Sequence, residues 1–273
     1  MSSRIGETFS RLQAAGQTGL ITYVTAGDPD STRSGQILKA LDQAGADVLE
    51  LGVPFSDPLA DGPVIQRASE RALAGGTSLA STLNLIQNVR LEVEAAIVVF
   101  TYANPVLRMG PEIFVRRAAD AGVDGVLVLD LPIEEAGHLR QMVVDAEMDP
   151  IFLLSPTTSD RRLARAAELG RGFLYGISRL GVTGIRSEVA VGVRSLVRRI
   201  RAVTSLPVAV GFGLSRPEHL LEVGKCADAA VVGSALVDVI ARERDSPGLV
   251  PAVANYVRWL KGDGAAKAKA VVS

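Results

Sequence analysis

The chain has 273 residues, of which 48% are hydrophobic and 22% are charged, and its formal net charge is −1. A chain of this length can bury one large core, and its interspersed charges leave no basic face of the kind that nucleic acid binding requires. The sequence has neither an apolar run that could cross a bilayer nor an apolar signal core at its start. We therefore expect a cytoplasmic protein that binds neither nucleic acid nor membrane.

Eight buried, apolar runs alternate with helical patterns along the chain, and glycine, proline or acidic residues end most of the runs. The predicted strands cover residues 19–26, 48–51, 96–102, 125–129, 151–154, 172–177, 207–210 and 228–232. This count predicts a single (β/α)8 TIM barrel over residues 1–273, with an extra N-terminal helix, extra helices after strands 2 and 8, and a frayed tail from about residue 262. The alternative is an open doubly wound sheet.

Two local motifs predict where elements end and begin. Asn104 and Pro105 form a breaker pair that closes the third strand before a helix over about residues 113–121. Ser215, with Glu218 three residues later, predicts a capping box that opens the helix after the seventh strand.

The stretch DVLELGVPFSDPLADGP, residues 47–63, places a carboxylate inside a buried strand and more acids on the loop that follows. Glu50 lies among apolar residues, where an unpaired charge is costly. Glycines and prolines enforce turns after it, so Asp57 and Asp61 lie on a loop at the carboxyl end of the strand. A strand-borne glutamate beneath a loop-borne aspartate is typical of an active site, whereas the alternative for Glu50 is a buried ion pair.

In a barrel, the loops that follow the strands carry the chemistry. Glycines after the seventh and eighth strands, in Gly211-Phe212-Gly213 and Gly233-Ser234, allow backbone N–H groups and helix N-termini to face an anion, which predicts a phosphate site. The candidates that converge on this rim are Glu50, Asp61, Tyr102, Asp130, Tyr175, Gly184, Gly213 and Ser234.

Several chemistries lack the residues they need. No lysine lies at the carboxyl end of a predicted strand, which argues against a Schiff-base aldolase. The two histidines, His138 and His219, lie on separate predicted helices, and no Cys/His cluster offers a transition-metal site. We therefore expect no metal, and the carboxylates and tyrosines remain as the reactive groups.

The motifs ITYVTAGDPD, LELGVPFSDPLADGPVIQRA, SPTTSD, YGISRLGVTG and GFGLS together resemble the tryptophan synthase alpha chain family, in order and over nearly the whole length. The resemblance implies cleavage of indole-3-glycerol phosphate to indole and glyceraldehyde 3-phosphate, with no cofactor in this chain. It also implies a tryptophan synthase beta chain as partner, in an alpha2beta2 heterotetramer.

The resemblance assigns roles to individual positions. It implies that Glu50, Asp61 and Tyr175 are catalytic, and that Pro54 and Asp57 meet the partner chain. Leu129 and Gly176 depart from residues common in the family. The substrate-binding positions implied are Phe100, Tyr102, Leu129, Thr183, Gly184, Phe212, Gly213, Gly233 and Ser234.

Three other functions stay open at the level of sequence. A different phosphate-sugar barrel enzyme would share the anion site, although such enzymes usually place their acids on other strands. A non-catalytic subunit that only activates a partner would keep the loops without needing both Glu50 and Asp61. A stand-alone lyase that releases indole would carry the same catalytic residues as the alpha chain.

Overall fold

The computed structural model describes residues 3–177, 186–211 and 213–263. Nine parallel strand segments form one sheet: β1 Gly19–Thr25, β2 Val48–Gly52, β3 Ala96–Thr101, β4 Gly125–Val128, β5 Asp149–Pro150, β6 Phe152–Leu154, β7 Leu174–Ile177, β8 Val208–Gly211 and β9 Ala229–Val232. Their order in the sheet is β5-β4-β3-β2-β1-β9-β8-β7-β6.

The ends of this sheet meet at a single residue. Ile151 separates β5 from β6, and its N–H donates to the carbonyl of Val126 on β4 at 2.9 Å. Pro150 has no N–H to give to the ladder, and proline is typical of such irregular positions in a sheet. The two segments therefore share one strand position, and the sheet closes as an eight-position barrel. The predicted (β/α)8 TIM barrel is confirmed, and the open-sheet alternative is wrong.

Helices cover the outside of the barrel. They are α1 Arg4–Ala14, α2 Ser31–Gln43, α3 Pro63–Ala74, α4 Leu79–Val89, α5 Ala103–Met109, α6 Pro111–Asp120, α7 Gly137–Asp145, α8 Asp160–Leu169, α9 Arg186–Arg201, α10 Pro217–Gly224, α11 Ser234–Glu243 and α12 Leu249–Leu260, with a 3-10 turn at Arg90–Glu92. The predicted extra helices are present as α1, as the pair α3 and α4, and as the pair α11 and α12.

Helix α1 closes the amino-terminal end of the barrel. Ile5, Phe9 and Leu12 are buried and join the cluster of side chains inside it. Arg11 binds Asp47 at 2.9 Å, and Lys261 binds the same carboxylate at 3.1 Å, so the first and last helices are tied to one residue before β2. The floor of the barrel is therefore apolar and shut, which leaves its opposite end as the open one.

Two local predictions need correction: the third strand and the later helix lie where expected but a short helix between them was missed, and the predicted capping box is wrong. Asn104 and Pro105 lie in the first turn of α5, an additional short helix, because proline is tolerated in a first turn, where its missing N–H breaks no helical bond. Helix α10 begins at Pro217 with Arg216 as its N-cap, and no side chain caps it. The N–H of Ser215 donates instead to Nδ1 of His219 at 3.1 Å.

Helix α12 ends at Leu260, close to the predicted start of the frayed tail, and residues 264–273 of that tail lie outside the described part of the chain. Within the described residues, no helix is long and apolar enough to cross a membrane. The same residues contain no group of three or more His, Cys, Asp or Glu side chains arranged to hold a metal ion.

Candidate active site

Glu50 lies on the inner face of β2 and is completely buried. Neither carboxylate oxygen has a hydrogen-bond partner among the described residues, so the buried ion pair considered for this position is wrong. Apolar barrel residues lie below it, including Val48 on its own strand, and no countercharge offsets the loss of water. Burial alone therefore raises the pKa of Glu50 to about 8, which makes the neutral acid its major form at pH 7.

Asp61 lies on the loop between β2 and α3, where Tyr102 holds it. The Tyr102 hydroxyl donates to Oδ2 of Asp61 at 3.1 Å and accepts from the N–H of Ala60 at 3.3 Å. The Tyr102 ring packs on Phe55 with 4.9 Å between centroids. Partial burial raises the pKa of Asp61, and the hydrogen bond from Tyr102 opposes that rise. Asp61 is therefore partly shielded from water, and Tyr102 contacts this catalytic candidate directly.

Asp130, another candidate of the rim, supports this arrangement from the loop after β4. Its Oδ1 accepts the N–H of Ala103 at 2.6 Å. Ala103 is the first residue of α5 and follows Tyr102, the N-cap, whose own side chain makes no capping bond. Asp130 therefore satisfies a free donor at a helix start and fixes the backbone beside Tyr102.

Tyr175 lies inside the barrel on β7 and is 8% exposed. A methyl group added at Gly211 would lie 2.7 Å from its hydroxyl, so the glycine leaves the room that the phenol occupies. Burial, followed by the charge of Glu50, raises the pKa of Tyr175 well above its usual value, so the phenol stays neutral. Tyr175 therefore faces the same interior space as Glu50.

Half-buried apolar side chains line the open end of this space. They face inward from neighbouring strands and pack on the interior cluster: Phe100, Leu129, Leu153 and Ile177. An apolar mouth above one neutral acid is suited to a flat, apolar ring.

The structure describes part of the predicted phosphate site. Gly213 has a φ of +56°, which favours glycine, and a methyl group added there would point into open space. Gly233 is the N-cap of α11 and Ser234 its first residue, and no side chain caps this helix. The N–H of Leu236 already donates to the carbonyl of Gly233 at 2.9 Å, so the N–H groups of the first two residues, Ser234 and Ala235, are the ones that can face an anion. Thr183, Gly184 and Phe212 lie outside the described residues.

The two predicted partner contacts differ in accessibility. Pro54 is buried within the chain itself, whereas Asp57 is exposed and its carboxylate accepts the hydroxyl of Ser56 at 2.6 Å. On the same loop Leu59 is 93% exposed. The exposed part of this loop therefore centres on Asp57 and Leu59, with Pro54 beneath.

A separate cavity of about 300 Å³ opens where β4 and β6 part beside Ile151. Leu129 and Leu153 reach it from the barrel, and Arg140 and Arg162 line it from outside. Neither Glu50 nor Asp61 lines it, so the two candidate catalytic acids lie outside this cavity.

Tyr23 is a residue of this site that the sequence analysis missed. It lies on β1 opposite Glu50 in the sheet register and is 7% exposed. Burial, then the charge of Asp61, raises the pKa of Tyr23, with a smaller contribution from Glu50. Alternation along β1 could have placed it on the inner face, but the neighbour it meets depends on the register between strands.

Comparison with known proteins agrees with this geometry. The family model "Tryptophan synthase alpha chain" matches residues 9–258. The chain is 51% identical over 246 residues to the tryptophan synthase alpha chain of Methylococcus capsulatus, covering 90% of this chain and 92% of that protein. It is 45% identical over 249 residues to that of Arabidopsis thaliana, covering 90% of each.

Solved structures give the same result in three dimensions. Tryptophan synthase subunit alpha from Legionella pneumophila superposes with a TM-score of 0.89 at 34% identity, covering 96% of this chain and 98% of that one. A chain of tryptophan synthase from M. tuberculosis superposes with a TM-score of 0.87 at 34% identity and the same coverage. The fold and much of the sequence that surround Glu50 and Asp61 are thus shared with these proteins. The chain belongs to the tryptophan synthase alpha chain family.

Proposed function

We propose that this chain is a carbon–carbon lyase that cleaves indole-3-glycerol phosphate into indole and glyceraldehyde 3-phosphate, as the alpha subunit of tryptophan synthase in tryptophan biosynthesis. Family membership supports the substrate. The observation that carries the chemistry is Glu50: a completely buried carboxyl without a partner among the described residues, whose pKa is raised to about 8 at the open end of the barrel.

Cleavage needs two proton movements that balance each other. A proton is added to the indole carbon that bears the side chain, and the hydroxyl on the adjacent side-chain carbon loses one as the carbon–carbon bond breaks. We assign both movements to Glu50, which is neutral at pH 7, gives its proton to the ring, and as a carboxylate accepts the hydroxyl proton. No oxidant, reductant or cofactor is needed for this balance.

Asp61 has the complementary role. Positive charge develops on the indole nitrogen when the ring carbon is protonated, and a carboxylate that accepts the ring N–H stabilises that charge. Tyr102 holds Asp61 by a donated hydrogen bond, which favours the ionised form. The phosphate of the substrate is assigned to Gly213, Gly233 and Ser234 at the start of α11, together with Thr183 and Gly184. The indole ring is assigned to the space that Phe100, Leu129 and Tyr175 line, and the family resemblance adds Phe212, which lies outside the described residues.

The test is turnover of indole-3-glycerol phosphate by the purified chain, followed by release of indole. Glu50→Gln keeps the size of the side chain and removes the acid, so we expect turnover to fall on the order of 10²-fold or more with substrate binding retained. Glu94→Gln, an exposed change before β3, is the matched control and should behave as wild type. Near-normal turnover of Glu50→Gln would exclude this assignment.

We further propose that the partner is a tryptophan synthase beta chain and that the assembly is an alpha2beta2 heterotetramer in the cytoplasm. Support comes from the loop between β2 and α3, where exposed Leu59 and Asp57 lie next to Asp61. A single exposed leucine is ordinary on a protein surface, so this proposal rests chiefly on family membership. Turnover measured with and without a cognate beta chain distinguishes this proposal from a stand-alone indole-releasing lyase, since equal rates would favour the latter.

A further inference from the structure

Tyr23 occupies the space directly above Glu50 on the inner face of the barrel. Glu50 and Gly52 share that face of β2, because side chains two residues apart point the same way. A methyl group added at Gly52 would lie 2.1 Å from the Tyr23 hydroxyl oxygen. The phenol of Tyr23 therefore crosses from β1 to β2 and places its O–H over the strand position between Glu50 and the open end.

The Tyr23 ring is held from several sides. Phe100 contacts it edge-on, with 5.4 Å between centroids and 81° between the planes. Ala68 of α3 and Val237 of α11 belong to the same buried cluster. The ring of Tyr23 is thus held by α3, which follows the Asp61 loop, and by α11, whose start belongs to the proposed phosphate site. Moving the hydroxyl away from Gly52 would require both helix contacts to repack.

Glu50 must change its surroundings to act. In the resting arrangement its carboxyl lies among apolar side chains with no hydrogen bond to the described residues, which suits the neutral acid and not the carboxylate. Once it has given up its proton, the carboxylate needs a donor close to the substrate. The described polar groups that face this space are the phenols of Tyr23 and Tyr175 and the hydroxyl of Thr25, with Asp61 and Tyr102 at the mouth. Thr25 lies opposite Gly52, one inward-facing position further from Glu50 than Tyr23. Strands β3 and β4 and the β5–β6 position contribute apolar side chains.

Among these groups, Asp61 is an acceptor when ionised, and Tyr102 already donates to it. The Tyr175 hydroxyl lies against Gly211 on β8, and the charge of Glu50 also reaches it, so Tyr175 is the competing donor that the experiment must separate from Tyr23. We propose that Tyr23 is a positioning residue, and that its hydroxyl donates to the Glu50 carboxylate after proton transfer and holds it toward the substrate. This role rests on the proposed function, because it concerns the acid assigned to the same reaction.

A hydrogen bond to the charged form lowers the pKa of a carboxyl group, so removing the donor raises it. Since Glu50 starts as the neutral acid, its ionisation appears as the alkaline limb of kcat/KM. In Tyr23→Phe the ring and its contact with Phe100 remain. We expect that limb to move up by about one pH unit, because the free energy of one hydrogen bond to a charged group corresponds to a pKa change of about that size. We also expect kcat at pH 7 to fall about threefold to tenfold with KM little changed.

The experiment compares four chains: wild type, Tyr23→Phe, Tyr175→Phe and Tyr256→Phe. Tyr256 donates to the carbonyl of Ser215 on the far side of the barrel wall, so removing its hydroxyl tests the loss of a phenol hydrogen bond away from Glu50. The alkaline limb of kcat/KM in Tyr256→Phe should stay at the wild-type pH. A limb that moves in Tyr175→Phe and not in Tyr23→Phe would overturn the assignment, and so would a limb that moves in neither.

Carboxyl carbon NMR provides a readout that does not depend on turnover. The Glu50 resonance is identified by its loss in Glu50→Gln, and it should titrate at a higher pH in Tyr23→Phe than in wild type. Unchanged titration would refute the role of Tyr23 even if activity fell. Absence of turnover in the wild type would instead refute the proposed function, and it would leave the titration able to decide whether the two side chains interact.

Discussion

The burial of Glu50 makes a prediction about stability that is independent of substrate. Its pKa is about 8 in the folded chain against 4.5 when exposed, so between these values the folded chain holds a proton that the unfolded chain has released. Stability falls with rising pH wherever the folded state binds more protons. Wild type should therefore lose stability from this residue as pH rises from about 4.5 to 8, and no more above that range.

The magnitude follows from the size of the pKa difference. Between three and four pH units separate the two values, and each unit corresponds to about 1.4 kcal/mol, which gives a ceiling of about 5 kcal/mol. Water penetration and local relaxation reduce such penalties in real proteins. We therefore expect Glu50→Gln, which cannot ionise, to gain about 2 to 5 kcal/mol over wild type between pH 5 and pH 9.

Urea unfolding at a series of pH values measures this gain. The free energy of unfolding of Glu50→Gln minus that of wild type should be small at pH 5, rise through pH 8 and then level off. Equal denaturant slopes in the two chains show that the same surface unfolds. Glu94→Gln, with its side chain on the surface, should follow wild type throughout. A difference between Glu50→Gln and wild type that stays constant from pH 5 to pH 9 would refute the claim that Glu50 is buried without a compensating charge.

Other expectations concern the mouth of the barrel. Gly213→Val should weaken binding of glycerol phosphate more than Ser234→Ala, because valine at a positive φ is strained and its side chain would enter the anion space. A titration in which Ser234→Ala loses more affinity than Gly213→Val would argue against this placement. Tyr102→Phe should raise the pKa of Asp61 and so move the acid limb of kcat/KM to higher pH, and an unmoved limb would mean that the bond has no part in turnover. Asp57→Ala should reduce activation by a beta chain more than the basal rate, which paired rate measurements would contradict if both fell equally.

Much of this protein follows from local sequence. Continuous apolar runs separated by helical patterns predict strands that are covered on both faces, and eight of them predict a barrel. Glu50 within such a run, followed by a loop of glycines, prolines and acids, predicts a buried acid beneath a loop-borne one. These features depend on residues close together in the chain, so the sequence is enough to identify them.

Short-range patterns were less reliable where two signals competed. Asn104 and Pro105 are turn formers, yet they lie in the first turn of α5, where Asp130 from the loop after β4 accepts the N–H of Ala103, the first helical residue. Ser215 has the spacing of a cap, yet Pro217 begins the helix one residue later than that cap requires. In each case a tertiary partner or a proline at the first helical position outweighs the local propensity.

The sequence by itself determined the order of the strands and helices, the buried position of Glu50 and the loops that carry the remaining candidates. Only the tertiary structure decided that Tyr23 lies over Gly52 above Glu50, that Tyr102 holds Asp61 and that Pro54 is covered while Asp57 is exposed. Alternation along a strand assigns a side chain to a face, but the side chain it meets across the barrel depends on register and closure, which arise from contacts between residues far apart in the chain.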